Sequence, residues 1–295
     1  MPEQPRARPL HAGARIRLHA GRAHLFPAVA VPEGMVAGQY SVLSPGTERR
    51  HLAGSDRDAG YMTLGQADSA WLLAPVPHGA AFDPQHHGAV IAPAGTGVEV
   101  AALARFQQMA LLGLDRVPGV ELDGAIVVGS GPVALGCVLE LHRRGVTNVR
   151  VVTSRRHAPI GRAPGVTCVV PGTPVAARLV IDAAGDPRHA AALTEPGGVL
   201  GLLGTPEPTA SLSAIEVHRA GWTVVGMHEL AAQEAAAYRD AYSTAAAFLT
   251  ERLPAELLPS WCRTVSGTRA PELYALLTGP GRPAEPVIVF DWRTA

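Results

Sequence analysis

The 295-residue sequence contains no lysine; all 25 residues counted as Lys or Arg are arginine. This absence excludes a P-loop lysine, a pyridoxal-phosphate Schiff base and a lysine general base. Cysteine is scarce. Cys137, Cys168 and Cys262 are odd in number and far apart, which excludes a disulfide framework and a zinc-ligand spacing and points to a reducing cytoplasm. Net charge is absent too, because 25 basic and 25 acidic residues cancel. Neutrality gives no electrostatic pull toward nucleic acid or an anionic membrane, so neither is expected as a partner. No apolar run approaches the roughly 20 residues that cross a bilayer. The arginine-bearing N-terminal stretch lacks the apolar centre of a signal peptide, and a cytoplasmic location is expected.

What is present is 47% hydrophobic residues, with 32 glycines and 26 prolines, in a chain long enough for two domains. The most informative stretch spans 124–156. Residues 125–128 are apolar and β-branched between glycines, the pattern of a buried parallel strand. Gly129, Ser130 and Gly131 make a turn. Pro132, Val133 and Ala134 then open a helix that runs to about 144 and stops at Gly145. A second strand is expected over 149–153. This is a βαβ unit with a dinucleotide-binding turn. Gly129 makes the tight bend, Gly131 lets backbone approach a pyrophosphate, and Ala134 lets the helix lie close to the strand. Unpaired N–H groups and the macrodipole favour an anion at that helix N-terminus.

Units that bind NAD usually end the second strand on an acid that holds the ribose hydroxyls. Here the strand ends Thr153-Ser154-Arg155-Arg156, and the planar fork of a guanidinium suits phosphate. The expectation is NADP(H) in preference to NAD(H), with Ser154, Arg155 and Arg156 around the adenosine phosphate. The alternative is a solvated basic loop.

Ahead of residue 97, helical periodicity is weak and Pro and Gly are frequent. Short strands are expected over 15–18, 28–31, 40–43, 70–73 and 89–91, with a Pro45-Gly46 turn leading into a helical turn at Thr47-Glu48. Apolar residues from Ala101 to Leu114 then recur near helical spacing, with Arg105, Gln107 and Gln108 between them, and Pro118-Gly119 close this helix. Beyond the βαβ unit, strands over 179–182, 199–203 and 222–227 alternate with helices over 187–193 and 231–251. Such alternation implies a parallel sheet with helices on both faces. Ligands bind beyond the carboxyl ends of those strands, so Ala184, Gly185, Leu203, Gly204 and Thr205 are expected to line the nicotinamide half of the groove. The tail offers an extended stretch over 261–265, a helix over 270–277 and a last strand over 286–291 that returns to the N-terminal region. The expected fold class is α/β: a Rossmann doubly wound parallel sheet (98–265) with a smaller, shortened β-rich domain (1–97 and 266–295).

Three features together resemble the medium-chain dehydrogenase/reductase superfamily, which includes the alcohol dehydrogenases. They are the domain order, the cofactor turn GSGPVALG (129–136), and the strand exits IDAAG (181–185) and EPGGVLGLLG (195–204). The string LSPGTER (43–49) looks like the branch that includes the bacteriochlorophyllide dehydrogenases and related enzymes of bacterial secondary metabolism. The resemblance implies a GroES-like β domain, an NAD(P)-dependent oxidoreductase with a small-molecule substrate, and a homodimer joined at the Rossmann sheet edge, for which strand 222–227 is the candidate. Zinc members of the superfamily carry a cysteine in a CGTD-like string and a histidine in a Gly-His-Glu string. Here those places read Ser44-Pro45-Gly46-Thr47-Glu48 and Gly65-Gln66-Ala67, and the four-cysteine structural lobe is missing. Hydroxyl and carboxamide replace thiolate and imidazole poorly, so no zinc is expected.

Without a metal, side chains must stabilise or protonate the oxygen where charge develops. Ser44, Thr47 and Glu48 are the catalytic candidates, because they stand where the family holds its metal and proton relay. Arg49 pairs with Glu48 or orients a substrate. Tyr40 and Tyr61 are candidate phenolic acids, and His86-His87 a candidate acid–base pair. Each also has a structural reading. Hydroxyls beside a Pro-Gly turn bond the local backbone, Glu48–Arg49 holds the turn, His86-His87 sits on a surface loop, and Met109 and Trp222 belong to the core. The expected activity interconverts an alcohol and a carbonyl. Reduction of an activated C=C bond in an enone or quinone, and a non-catalytic NADP-binding role, are the alternatives.

Overall fold

The computed structural model describes residues 14–293 apart from Ala53, Ser55, Pro118, Ala232, Gln233 and Pro280. The expected helix stop at Pro118 and the first 13 residues lie outside the described residues. The chain opens with β1 (Arg15–His19), β2 (Arg22–Phe26), β3 (Tyr40–Leu43), α1 (Pro45–Leu52), β4 (Arg57–Asp58), β5 (Thr63–Ala67), β6 (Ala70–Ala74) and β7 (Val90–Ile91). The strand expected over 28–31 is not there; it lies earlier, at Arg22–Phe26. The reason is a tight hairpin: Ala20 and Gly21 both have positive φ, which turns β1 straight back onto β2. Pro27 then removes an N–H donor, and the strand stops.

A long helix, α2 (Val98–Leu114), links the β-rich part to the second half of the chain. Every residue from Val100 to Leu114 is buried. A helix buried all round must still satisfy its polar groups. Gln107 donates to Glu140 at 3.2 Å, Gln108 to the Tyr238 carbonyl at 2.6 Å, and Arg105 to Gln108 at 2.8 Å.

The remainder alternates β8 (Ile126–Val128), α3 (Pro132–Arg143), β9 (Val149–Val152), β10 (Val166–Val169), β11 (Ala177–Asp182), α4 (Pro187–Ala191), β12 (Thr194–Leu202), α5 (Ala214–Ala220), β13 (Thr223–Gly226) and α6 (Ala235–Arg252). The chain ends with α7 (Leu258–Trp261), β14 (Cys262–Ser266), α8 (Ala270–Leu276) and β15 (Val287–Asp291). The six strands β8 to β13 form one parallel sheet in the order β10-β9-β8-β11-β12-β13. Counted from β8, this is the doubly wound order 3-2-1-4-5-6. A second, mixed sheet runs β14-β15-β3-β5-β6-β7. The last strand does return: β15 pairs antiparallel with β3. The chain re-enters this sheet already at Cys262, because β14 pairs with β15, so a boundary at 265/266 cuts through a strand. β1, β2 and β4 make a small third sheet. The fold is therefore α/β, a Rossmann-type parallel sheet beside a separate mixed sheet.

One apolar core joins the two, because α2 packs on α3 and α6 and also reaches β6 and β15. The contact with α3 is close: a Cβ on Gly136 would collide with the carbonyl of Phe106, so this crossing needs glycine. Among the described residues no helix is long and apolar enough to cross a membrane.

Candidate active site

The order of the parallel strands reverses between β8 and β11, and a cavity of about 1060 Å³ opens at their carboxyl ends, closed on the other side by α1 and by Tyr61 of the mixed-sheet lobe. Gly129 has φ +110°, donates its N–H to the Val152 carbonyl at 2.9 Å, and passes so close to Ala184 that a Cβ would stand 3.2 Å from that methyl. Gly131 precedes α3, and Pro132 takes the first helical position, where no N–H is needed. Ser130 and Thr153 are joined through their hydroxyls at 2.8 Å, which ties the turn to the end of β9. The exit of β11 is shaped by Asp182. Its Oδ1 accepts from the backbone N–H groups of Ala184, Gly185 and Asp186 at 3.0, 2.8 and 3.1 Å. Burial pushes this carboxyl above its ordinary value, against those three bonds.

Gly129, Ser130, Gly131, Pro132, Val133, Ser154, Arg155, Ala184, Leu203, Gly204 and Thr205 all line the cavity. Gly185 and Arg156 do not; Gly185 is turned toward Asp182, and Arg156 is exposed. Arg155 leaves the end of β9 and donates to the carbonyls of Pro283 and Ala284, both at 3.2 Å. Arg282 stands in the same wall. Burial, with Arg155 and Arg49 nearby, pushes its guanidinium down to about 10. Three arginines from three distant stretches thus converge on one wall. Among the described residues six that line the cavity are arginines and two, Asp186 and Glu229, are carboxylates, so the cavity favours anions.

A second cluster lies deeper. Ser44 and Thr47 line the cavity together with Tyr61. Burial raises the Tyr61 phenol above its ordinary value, opposed by the Ser44 and Thr47 hydroxyls and by Arg105. Arg105 is 4% exposed yet lines the same cavity. Its Nη2 donates to Glu229 at 2.9 Å, and its guanidinium lies 5.4 Å from the Tyr238 ring centre. Sequence reasoning missed Arg105, Glu229 and Arg282. The available signal was weak: Arg105 lies with Gln107 and Gln108 on a mostly apolar helix, a pattern that reads as a wet face.

Glu48 does not face the cavity. It is fully buried and pairs not with Arg49 but with residues far away in the chain. Its Oε2 accepts from the Tyr274 hydroxyl at 3.0 Å and the Gly60 amide at 3.3 Å, and His78 Nε2 stands 3.5 Å from Oε1, an ion-pair distance and not a short hydrogen bond. His78 is bonded in turn to Ser41 at 2.6 Å, which also accepts from the Trp292 indole. Tyr40 likewise lies outside the cavity, edge-on to Trp71 and under Arg293. His87 lines the mouth, stacked on His86. Gln66 is exposed, Met109 lines the cavity, and Trp222 does not. Arg50 crosses the cleft and donates to the carbonyls of Thr205 and Pro206. Among the described residues no three of His, Cys, Asp or Glu come together as a metal site would require.

No protein-family model matches the sequence, and no curated protein matches it. Solved structures do. 2R,3R-butanediol dehydrogenase from Bacillus subtilis superposes with a TM-score of 0.71 over 94% of this chain and 99% of that one, at 14% identity. Acetophenone reductase from Geotrichum candidum, in complex with NAD, gives 0.74 over 97% and 98%, at 12% identity. The YhdH oxidoreductase from Salmonella enterica, in complex with NADP, gives 0.66 over 95% and 99%, at 17% identity. The chain has the fold that these alcohol-dehydrogenase-like enzymes share.

Proposed function

We propose that this chain is an NADP(H)-dependent, zinc-independent oxidoreductase that interconverts an alcohol and a carbonyl in a small-molecule substrate. The observation that carries this reading is the shared cavity. It has a glycine turn and helix N-terminus at its floor, an arginine wall at the end of β9, and a hydroxyl cluster at depth. A dinucleotide fits these residues. A Cβ on Gly131 would meet nothing within 4 Å, which leaves room for a ligand against the backbone. The cavity also exceeds the roughly 300–1,000 Å³ of ordinary small-molecule sites. Gly129, Ser130, Gly131, Pro132 and Val133 would hold a pyrophosphate, and Ser154 and Arg155, with Arg282 and Arg49, would hold the remaining phosphate. Ala184, Leu203, Gly204 and Thr205 would flank the nicotinamide. When bound, that ring supplies or accepts a hydride.

The donor set does not suit zinc. Hydroxyls of Ser44, Thr47 and Tyr61 surround the place, and the Arg105 guanidinium beside them opposes a dication. Kinship with the bacteriochlorophyllide-type branch, and a role in bacterial secondary metabolism, rest on the LSPGTER string. A homodimer through the outer edge of β13 is part of the same proposal.

The test is a titration of NADPH and NADH side by side. Tight NADPH and weak NADH binding is the expected result. Arg155→Glu should weaken NADPH by about 10–100-fold, since a hydrogen bond to a charged group is worth roughly 1.5–3 kcal/mol, and leave NADH nearly unchanged. Arg156→Glu, on an exposed residue outside the cavity, should do little. Failure to bind either nucleotide, or equal loss of both in Arg155→Glu, overturns the reading.

A further inference from the structure

We propose that Tyr61 and Arg105 are the catalytic pair at the substrate oxygen: Tyr61 exchanges its phenolic proton with that oxygen, and the Arg105 guanidinium supplies the fixed positive charge where anion develops. The proposal rests on the oxidoreductase reading and names the groups that act in place of a metal.

The position of Arg105 is the first argument. Taking a guanidinium out of water costs several kcal/mol, and α2 is buried on all sides. A purely structural arginine would be expected to spend its donors on protein acceptors. Arg105 donates through Nη1 to Gln108 at 2.8 Å and through Nη2 to Glu229 at 2.9 Å. A guanidinium has five N–H groups, so three make no hydrogen bond to the described residues. They belong to a buried cation that lines the cavity. Gln108, Glu229 and the Tyr238 ring fix the plane of the group, so its charge is organised before any substrate arrives.

Tyr61 is the second argument. It lines the same cavity as Arg105, Ser44 and Thr47, and those three groups favour its phenolate. Burial raises its pKa, so the phenol keeps its proton until an alkoxide, a stronger base than phenolate, forms beside it. The same neighbours stabilise the phenolate once that proton has left. Ser44 and Thr47 put two further hydroxyls, each able to donate and accept, on the same cavity lining.

In the reducing direction the substrate carbon gains a hydride from a reduced nicotinamide, and the C=O π pair moves onto oxygen. That oxygen bonds the Tyr61 proton. The phenolic O–H bond breaks, and its electron pair stays on the tyrosine oxygen. Arg105 stabilises first the developing alkoxide and then the phenolate. The cavity that Tyr61 lines is open to solvent, from which a proton returns to the phenolate. Oxidation runs the same transfers in reverse.

Three variants test the pair. Tyr61→Phe removes only the hydroxyl. Arg105→Lys keeps a charge but loses the planar fork. Arg105→Met is combined with Glu229→Gln so that no buried carboxylate is left without its partner. With NADPH and 4-nitrobenzaldehyde or 4-nitroacetophenone as probes, kcat should fall about 10²–10⁴-fold in Tyr61→Phe. It should fall about 10²–10³-fold in the double variant, and by less in Arg105→Lys. The NADPH Kd should not move. A second readout needs no turnover. p-Nitrophenol bound to the protein, with and without NADP⁺, should ionise below its free pKa. Arg105→Met/Glu229→Gln should abolish that shift and Tyr61→Phe should retain it. Ionisation of bound p-nitrophenol without reduction of either carbonyl probe would support Arg105 as the anion-stabilising charge but overturn the proposed reaction, and with it the proton transfer from Tyr61. An unshifted p-nitrophenol, from neutral binding or from none, would overturn the pair, as would wild-type turnover in Tyr61→Phe and Arg105→Lys.

Discussion

Glu48→Gln separates a structural from a chemical role for the carboxylate next to the cavity wall. Glutamine keeps the shape and keeps one oxygen for the Tyr274 hydroxyl and the Gly60 amide, now 3.0 and 3.3 Å from Glu48. It loses the charge 3.5 Å from His78. A hydrogen bond to a charged group is worth roughly 1.5–3 kcal/mol, against about 0.5–1.5 for a neutral one. Two weakened bonds, with the carboxylate charge beside the His78 ring removed, therefore amount to about 2–4 kcal/mol. For a chain of this length each kcal/mol shifts Tm by roughly 2 °C, so the variant should melt about 4–8 °C lower by circular dichroism at neutral pH. The difference should depend on pH with a definite sign. Burial pushes the Glu48 carboxyl up, but His78, Tyr274 and the Gly60 amide together hold it below its ordinary value. A depressed carboxyl stabilises the fold above its unfolded pKa, about 4.3, and that contribution is lost as pH falls through the lower folded value. The two melting temperatures should therefore converge in acid. A variant that melts like the wild type and binds NADPH, but no longer turns over, would refute the buried-network account and return Glu48 to the chemistry.

Gly136→Ala should cost about 1–3 kcal/mol, as overpacking does, because its new Cβ meets the Phe106 carbonyl; a thermal melt that rises instead would contradict the α2–α3 crossing. On the β13 edge, Val224 is 37% exposed. Val224→Asp places like charges opposite each other in a two-fold edge contact, so sedimentation should show a wild-type dimer and a monomeric variant. A wild type that is monomeric at every concentration would remove the edge contact.

The parallel sheet was legible because its strands are short apolar runs cut by glycine, and because the turn at Gly129 joins a strand to a helix in a fixed pattern. β10 and α5 were not legible. Val166–Val169 is an edge strand without a fully buried residue, and α5 buries none at all, so neither shows the periodicity that burial imposes. The hairpin at Ala20-Gly21 hid because alanine replaces the usual asparagine or glycine at positive φ. The candidate site divides the same way. The backbone turn is local, and its residues lie on the cavity. The side-chain clusters are not local: Glu48 meets Tyr274 from 226 residues away, and Arg105 meets Glu229 from 124. Polar residues at helical spacing read as a wet face, and nothing short of the tertiary fold shows that Arg105 points into a buried cleft.

The seat of Arg105 on α2 bears on how such a protein diverges. α2 holds the parallel-sheet helices on one flank and touches the mixed sheet on the other. Any replacement at position 105 is thus pleiotropic, altering the cleft floor and the joint between lobes at once. New ligand preferences are open to selection at much lower risk at the cavity mouth, where His87 and Leu230 come from connecting segments and contribute little to either sheet. Lineages that share this floor should therefore vary at the mouth first.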